Sequence, residues 1–191
     1  MKFCSQCAAP VDRRIPEGDN RERWVCPACG TIHYENPRIV AGCIPEWEGR
    51  VLLCRRAIEP RYGLWTLPAG FMENAETALE AAARETLEEA RARVEVIDLY
   101  ALFNLPHVNQ VYMIFRSRLT DLDFGPGAET LEVRLFEPEA IPWRELAFPT
   151  IEHALRFYFE DRARGSFALR MGDIVRQGGQ ARFQFRRGGA G

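Results

Sequence analysis

Three glutamates, Glu85, Glu88 and Glu89, have a spacing that could bind a metal ion. In an α-helix, at about 100° per residue, their side chains fall within one sector of the surface. Like charges at i and i+4 destabilise a helix by about 0.2–0.5 kcal/mol, so stability alone does not favour this arrangement. Converging carboxylates are hard oxygen ligands of the kind that Mg²⁺ and Mn²⁺ prefer. Taken alone, the glutamates could also form the solvated face of an ordinary Ala/Glu-rich helix over residues 75–90.

The residues around these glutamates favour the metal site. A turn-rich loop, residues 63–70 (GLWTLPAG), leads towards the helix. Arg84 is placed to reach back to Glu76 or Glu80 and to hold the loop against the helix. The whole pattern, Gly-x5-Glu-x7-Arg-Glu-x2-Glu-Glu over residues 70–89, resembles the signature of the Nudix hydrolases.

Three positions depart from that signature. Glycine is usual where Ala75 and Arg91 stand, and an aliphatic residue is usual at Ala92. The residue that follows a helix often takes the left-handed conformation, which costs a non-glycine residue about 1 kcal/mol. We therefore expect backbone strain at Arg91, while every charged position of the signature is present.

The resemblance implies a fold, a cofactor and roles for the residues of the signature. The fold would be an α/β/α sandwich with a mixed sheet, over about residues 37–163. Glu76 and Arg84 would orient the helix and the loop, and Glu88 and Glu89 would take part in catalysis. The ligands of Mg²⁺ or Mn²⁺ would be the carbonyl of Gly70 and the carboxylates of Glu85, Glu88 and Glu89.

Two further carboxylates, Glu129 and Glu132, are the best candidates for a general base. They follow a Gly-Pro-Gly loop, residues 125–127, at the start of a predicted strand. They could instead be exposed carboxylates without a role in catalysis, because a glutamate of the signature could also deprotonate a metal-held water.

The substrate implied by the resemblance is a nucleoside diphosphate linked to another group. Residues 63–70, Gln110, Tyr112 and the segment 146–148 (LAF) resemble a plant-type ADP-ribose/FAD pyrophosphatase group with bacterial relatives. ADP-ribose would give AMP and ribose 5-phosphate, and FAD would give AMP and FMN. Gln110 and Tyr112 are the predicted substrate contacts. Candidates for stacking on a base are Tyr34, Phe103, Tyr112 and Phe124.

Two other functions stay open at this stage. NADH pyrophosphatases share the layout of a zinc ribbon before a Nudix domain, so NADH or an NAD cap on RNA is the alternative substrate. The downstream Ser/Gln/Pro/Trp/Phe-rich segment of those enzymes is not matched here. A nucleotide sensor or a nucleic-acid-binding module is the non-catalytic alternative. A net charge of −2 argues against general nucleic-acid binding.

Four cysteines near the amino terminus predict a structural zinc site. Their spacing, C-x2-C-x18-C-x2-C, is typical of tetrahedral zinc, and four thiolates leave no open position for catalysis. Two redox-active CxxC pairs are the less favoured alternative. Cys43 and Cys54 lie in apolar runs and are expected to be inert core residues, with His33 a bystander. The zinc ligands would be Cys4, Cys7, Cys26 and Cys29.

Composition indicates a globular chain of one ordinary domain and a small appendage. It has 191 residues, 47% of them hydrophobic and 27% charged. No apolar run approaches the ~20 residues of a membrane helix, and no signal peptide is visible. We therefore expect a cytoplasmic protein, and by resemblance a homodimer.

The order of the elements supports three regions. These are a zinc ribbon at 1–35, the Nudix domain at 37–163 and an extension at 164–191 with a loosely held tail from about Gln177. A hairpin turn is predicted at Glu48-Gly49, and apolar residues at helical spacing predict a second helix over 151–159. Strands are predicted at 38–44, 50–54, 94–105, 110–119 and 131–136.

Overall fold

A computed structural model describes residues 1–177 and 180–185 of the chain. The chain divides into two compact units, the first from Met1 to Pro37 and the second beginning at Arg38. Within the described residues, no helix has the length and the apolar character needed to cross a membrane.

The first unit is a small antiparallel sheet on a minimal core. Its strands are β1 (Asp12–Arg14), β2 (Arg23–Val25) and β3 (Ile32–His33), in that order across the sheet. Its buried core consists of Val11 and two cysteines, with Trp24 packed beside them. A core of this size cannot hold a 37-residue unit by hydrophobic burial alone, so this unit depends on its cysteines.

The second unit is built from nine strands and two helices among the described residues. The elements, in chain order, are β4 (Arg38–Trp47), β5 (Arg50–Arg56), β6 (Trp65–Thr66), β7 (Ala69–Phe71), α1 (Ala78–Ala90), β8 (Val94–Leu105), β9 (Gln110–Leu119), β10 (Thr130–Phe136), α2 (Pro149–Arg164), β11 (Arg170–Gln177) and β12 (Gln180–Phe185). Short 3₁₀ turns occupy Pro106–Val108, Pro138–Ala140 and Trp143–Glu145.

The nine strands form one mixed sheet. Their order is β10-β5-β4-β9-β8-β11-β12, with β6 paired to β5 and β7 paired to β4. The pairs β4/β9 and β8/β11 are parallel, and the other pairs are antiparallel. The short strand β7 contains Gly70, the first residue of the signature, and pairs it with β4.

The two helices cover opposite faces of this sheet. Along β4, Ala41 and Cys43 pack with Ala81 of α1, whereas Ile44 belongs to the core cluster that contains Leu155 of α2. Successive residues of a strand point to opposite faces, so α1 and α2 lie on the two sides of the sheet. The predicted α/β/α sandwich with a mixed sheet is confirmed.

Helix α1 begins at Ala78 and not at residue 75 as predicted. Thr77 is the N-cap, and its hydroxyl accepts the N–H of Glu80 at 3.2 Å while the Glu80 carboxylate accepts the N–H of Thr77 at 2.7 Å. This reciprocal capping box fixes the first turn. Ala75 lies outside the helix with φ 68°, in the left-handed conformation that explains glycine at this position in the family signature.

The predicted strands and hairpin are present, with longer strands than expected. Strand β4 continues to Trp47, because the turn to β5 is only two residues long, and β5 continues to Arg56. Glu48 and Gly49 both have positive φ, which is the geometry of a tight hairpin turn.

Within the tail from about Gln177, which the sequence predicted to be loosely held, the structure describes residues 180–185. These residues form β12, which pairs with β11, and β11 itself pairs in parallel with β8. The Phe183 ring packs at 5.3 Å from Phe103, and this contact anchors the strand to the core. Residues 178–179 and 186–191 lie outside the described residues.

Candidate active site

Gly70 and the three glutamates of α1 line the same cavity in the second unit. Gly70 is in β7, paired with Ala41 of the sheet. A Cβ atom at position 70 would lie 2.3 Å from the Glu85 carboxyl carbon, so only glycine lets this carboxylate approach the strand. This close packing brings a backbone carbonyl and a carboxylate into the same small region.

Arg84 connects the loop to the helix. Its Nε and Nη2 donate to the two oxygens of Glu76 at 3.0 and 2.8 Å, and Nη2 also donates to the carbonyl of Phe71 at 3.2 Å. Its Nη1 donates to Glu85 and to Glu88, each at 2.9 Å. One guanidinium group therefore fixes two of the three glutamates. Hydrogen bonds from Arg84 lower the pKa of Glu76 to about 2.

The sequence offered Glu80 as an alternative partner of Arg84, and the structure assigns Glu80 to the capping box instead. Glu76 also accepts the N–H of Glu73 at 2.6 Å, which closes the turn before the helix. The Glu76 carboxylate therefore binds both the backbone of the turn before the helix and the side chain of Arg84 within it.

The three helix glutamates differ in environment. Glu88 is exposed, Glu85 is half-buried, and Glu89 is buried with its Oε2 accepting the N–H of Ala69 at 3.1 Å. Burial raises the pKa of Glu85, which neighbouring carboxylates raise further and Arg84 lowers. Burial raises the pKa of Glu89 to about 7. A cation bound near these carboxylates would stabilise their ionised form.

The Gly-Pro-Gly loop brings Glu129 to this cavity. The N–H groups of Gly125 and Gly127 donate to the carbonyls of Ala90 and Glu89 at 2.8 and 3.0 Å, so the loop covers the carboxyl end of α1. Glu129 lines the cavity. Its charge contributes to the raised pKa values of Glu85 and Glu89.

Glu132 lies apart from the cavity, although the sequence treated it as equivalent to Glu129. The pairing of β10 with β5 shifts register between Thr130 and Glu132. After this bulge, the half-exposed Glu132 side chain faces Arg55, with 3.9 Å between the charged groups. Among the described residues that line the cavity, Glu129 is therefore the carboxylate that β10 and its preceding loop supply.

The cavity has a volume of about 1160 Å³. Besides Gly70 and the four glutamates, which together are called the acidic wall, its lining includes aromatic and aliphatic residues and the basic residue Arg56. Gln110 and Tyr112 of β9, the predicted substrate contacts, line it. Burial raises the pKa of the Tyr112 phenol. A concave site that combines apolar surface with convergent polar groups is typical of small-molecule sites.

Of the four aromatic residues considered for stacking, Tyr112 is the one that lines the cavity. Phe103 is fully buried in the core, and Phe124 packs against the cluster around Leu119. Tyr34 belongs to the first unit, where the guanidinium of Arg23 lies 5.0 Å from its ring.

Arg56, Phe148 and Thr150 also line the cavity, and the sequence gave none of them a role in the site, although residues 146–148 carried part of the resemblance. The Arg56 guanidinium lies 5.2 Å from the Phe148 ring centroid, and its Nε donates to the carbonyl of Pro60 at 3.0 Å. Its charge lowers the pKa of Glu89 against the effect of burial. The Phe-Pro pair was a local signal, because proline favours the first position of a helix.

The four amino-terminal cysteines of the first unit form a separate cluster. Their Sγ atoms all lie within 4.8 Å of one another, with 3.7 Å for one pair and 3.5 Å for another. Tetrahedral zinc with Zn–S of about 2.3 Å requires Sγ–Sγ separations of about 3.8 Å. The residues forming these pairs are Cys4 with Cys29 and Cys7 with Cys26.

Both CxxC turns have the same backbone geometry. Ala8 and Gly30, each directly after the second cysteine of a pair, have positive φ, and their N–H groups donate to the carbonyls of Cys4 and Cys26. Hydrogen bonds with Thr31 lower the pKa of the Cys29 thiol to about 6, whereas hydrogen bonds with the neighbouring cysteines raise the pKa of Cys7 against a backbone hydrogen bond with Ala9. This cluster fits a structural zinc ion.

Comparisons with known proteins match a family to each of the two units. Residues 2–35 match the zinc-ribbon family described as Nudix N-terminal, and residues 36–158 match the NUDIX domain. A crystal structure of a NUDIX hydrolase from Nitrosomonas europaea is 60% identical, with a TM-score of 0.90. It covers 92% of this chain and 100% of that one.

Two relatives have names that state different substrates. The NAD-capped RNA hydrolase NudC of Chromobacterium violaceum is 30% identical over 165 residues, which cover 85% of this chain and 60% of that protein. The ADP-ribose pyrophosphatase of Methanocaldococcus jannaschii is 31% identical over 121 residues, 60% of this chain and 69% of that protein. The chain thus spans about 60% of the length of the NudC protein. With its zinc-ribbon unit and its signature helix, the chain belongs to the Nudix hydrolase family.

Proposed function

We propose that the protein hydrolyses the pyrophosphate bond of ADP-ribose, of FAD, or of both, with Mg²⁺ or Mn²⁺ as the catalytic ion. The observation that carries the proposal is the mixed lining of one cavity. Gly70, Glu85, Glu88, Glu89 and Glu129 line it together with aromatic and aliphatic side chains. A substrate with a diphosphate and a heteroaromatic base matches both kinds of group.

The acidic wall suits a divalent ion. Its candidate ligands are all hard oxygens, and burial, together with the neighbouring carboxylates, raises the pKa of Glu85 and Glu89. Bound there, the ion would neutralise the diphosphate and lower the pKa of a water molecule. The chain contributes the placement of the donors, which Arg84 and the Gly70 backbone fix.

Glu129 is the proposed general base. It lines the same cavity, and its loop is fixed to the end of α1 by two backbone hydrogen bonds. A carboxylate in this position can accept a proton from a water that attacks phosphorus near Glu85 and Glu89. The exposure of Glu132 and its contact with Arg55 give it no such access.

Gln110 and Tyr112 are proposed to bind the part of the substrate that does not react. Both lie at the start of β9, which runs beside β4 and so beside the strand pair that holds Gly70. The phenol of Tyr112 and the amide of Gln110 offer hydrogen bonds beside the apolar residues of the cavity.

NADH or an NAD cap on RNA is the second candidate substrate. The observation that favours it is the similarity to the NudC protein over 85% of this chain, a length that includes part of the zinc ribbon. The same acidic wall would serve, because the bond broken is again a pyrophosphate.

The decisive experiment is a Mg²⁺-dependent turnover assay, coupled to a phosphatase, over ADP-ribose, FAD, NADH, NAD and nucleoside triphosphates. Turnover of ADP-ribose or FAD well above that of NADH would support the proposal. NADH in first place would favour the second candidate. No turnover with Mg²⁺ or Mn²⁺ would make a nucleotide sensor or a nucleic-acid-binding module the better explanation.

From the family resemblance we also propose that the protein is a cytoplasmic homodimer. Light scattering coupled to size exclusion would report twice the chain mass of 21.9 kDa. A mass of one chain over the working concentration range would overturn the dimer.

A further inference from the structure

Arg56 is a half-buried cation in the cavity lining that has no carboxylate partner in the part of the chain that the structure describes. The described residues place three arginines around the cavity, which are Arg56, Arg61 and Arg84. Three glutamates hold Arg84, and Arg61 is exposed to solvent. Around Arg56, no Asp or Glu oxygen of the described residues lies within 4.0 Å of the guanidinium. Because desolvated charges in folded proteins are usually paired, this guanidinium indicates a ligand with an anionic group.

The contacts that the Arg56 guanidinium makes leave most of its donors free. Its Nε donates to the carbonyl of Pro60 at 3.0 Å, and its central carbon lies 5.2 Å from the ring centroid of Phe148. A guanidinium has five N–H donors, so the four of Nη1 and Nη2 remain, and none of them donates to an acceptor of the described residues. Such donors, in a fixed plane, match two oxygens of a phosphate.

Backbone hydrogen bonds fix the position of Arg56 relative to the proposed general base. Its N–H donates to the carbonyl of Leu64 and its carbonyl accepts the N–H of Gly63, each at 2.9 Å. The N–H of the next residue, Ala57, donates to the carbonyl of Glu129 at 2.8 Å. The end of β5 and the residue that carries the proposed base are therefore held side by side.

The charge of Arg56 acts on the acidic wall and on a predicted substrate contact. Burial raises the pKa of Glu89 to about 7 and also raises the pKa of Tyr112, and the charge of Arg56 opposes both shifts. The guanidinium is thus near both residues, although no oxygen of Glu89 lies within 4.0 Å of it. A divalent ion at the acidic wall and this guanidinium would repel each other, and a diphosphate bound to both would remove the repulsion.

We propose that the Arg56 guanidinium binds the diphosphate of the substrate, with Nη1 and Nη2 donating to phosphate oxygens that the acidic wall does not hold. The inference deepens the proposed function and rests on it. Attack of the water oxygen on one phosphorus breaks its bond to the bridging oxygen, and the electron pair stays on the departing phosphate. Glu129 accepts the proton of the water. Arg56 stabilises the negative charge that develops on the diphosphate.

The test replaces Arg56 by methionine, which keeps an apolar stem beside Phe148, and by lysine, which keeps the charge and loses the planar fork. Arg55→Met is the matched control. The Nε of Arg55 donates to the carbonyl of Gly63 at 2.9 Å, and its guanidinium lies 3.9 Å from the Glu132 carboxylate. The probe is adenosine α,β-methylene diphosphate, whose P–C–P bridge cannot be hydrolysed, titrated by calorimetry in the presence of Mg²⁺.

We expect Arg56→Met to weaken binding of this probe about 10- to 100-fold, the equivalent of the lost charge-assisted hydrogen bonds. Arg56→Lys should recover part of the affinity, and Arg55→Met should bind like the wild type. Added KCl should weaken binding less in Arg56→Met than in the wild type, because salt screens the contact that this variant lacks. A purely structural role of Arg56 would leave the salt dependence unchanged.

Four results would overturn the proposal: unchanged affinity in Arg56→Met, equal losses in Arg56→Met and Arg55→Met, a loss with unchanged salt dependence, or no binding of the probe to the wild type. These results are distinct from a failure of the proposed function. A protein that binds the probe through Arg56 and hydrolyses none of the tested nucleotides would keep the role of Arg56 and lose the enzymatic proposal. Turnover of ADP-ribose with equal kcat/KM in the wild type and Arg56→Met would do the reverse.

Discussion

The guanidinium of Arg84 binds the Glu76 carboxylate through two hydrogen bonds, 3.0 Å from Nε to Oε2 and 2.8 Å from Nη2 to Oε1. This fork-to-fork pair joins the loop before α1 to the middle of the helix. The remaining donor, Nη1, holds Glu85 and Glu88. Arg84 therefore determines the separation of the glutamates, and its exact shape matters more than its charge.

Replacing Arg84 by lysine should lower kcat about 10- to 100-fold, which is the usual effect of losing a residue that orients metal ligands. Lysine keeps the charge but cannot bind Glu76 with two parallel bonds. Steady-state kinetics over a range of Mg²⁺ concentrations measures the effect. Arg93→Lys is the control, because Arg93 is exposed and lies 4.0 Å from Asp121 and Asp123. Equal kcat in Arg84→Lys and wild type would show that the fork is dispensable.

Glu129→Gln should lower kcat about 10²- to 10⁴-fold, the contribution expected of a general base. Glu132→Gln should retain turnover close to wild type, since Glu132 faces Arg55. Both variants replace a carboxylate by an amide of the same size, so a difference between them reports on position. Similar losses in the two variants, with normal melting curves, would refute the assignment of Glu129.

Gly127→Ala should lose both stability and activity. A Cβ atom at position 127 would lie 1.7 Å from the carbonyl oxygen of Glu88, so the loop that carries Glu129 would have to move. Overpacking of this kind costs about 1–3 kcal/mol. Gly125→Ala is the matched control, because a Cβ atom there meets nothing within 4 Å. Thermal melts and kcat of the two variants test the prediction, and equal behaviour would contradict it.

Arg91→Gly should raise the melting temperature. Arg91 has φ 49° and ψ 21° at the end of α1, and the strain predicted from the sequence is confirmed by this left-handed conformation. Relief of about 1–2 kcal/mol exceeds the ~0.4–1 kcal/mol by which glycine stabilises the unfolded chain. The gain of about 0.5–1 kcal/mol corresponds to roughly 1–4 °C for a protein of this size. Arg91→Ala should bring no gain, and a lower melting temperature in Arg91→Gly would disprove the strain.

The parts of the site that the sequence predicted are those encoded locally. Glu85, Glu88 and Glu89 share a helix, so their spacing alone places them on one side. Arg84 and Glu76 are eight residues apart across a single turn. The left-handed residue at Arg91 follows directly from the end of the helix.

The parts that the sequence could not predict depend on contacts between distant segments. A single bulge between Thr130 and Glu132 decides which carboxylate reaches the cavity, and nothing in the spacing announces it. Thr150 joins the site because Leu146 pairs with Trp65, 81 residues earlier. Strand β12 pairs with β11, which directly precedes it, but β11 joins the sheet only through its pairing with the distant strand β8.

Removal of Cys26 should abolish zinc binding, and removal of Cys54 should not. Cys26 is one of four thiols whose Sγ atoms lie within 4.8 Å of one another in the first unit, whereas Cys54 is buried in the apolar core of the second. Native mass spectrometry of protein purified without chelators should show one zinc per chain in the wild type and in Cys54→Ala, and none in Cys26→Ala. The second unit has its own core, so Cys26→Ala should keep the cooperative unfolding of that unit while the ribbon loses its order. A different metal at equimolar amount, or zinc retained in Cys26→Ala, would contradict the four-cysteine site.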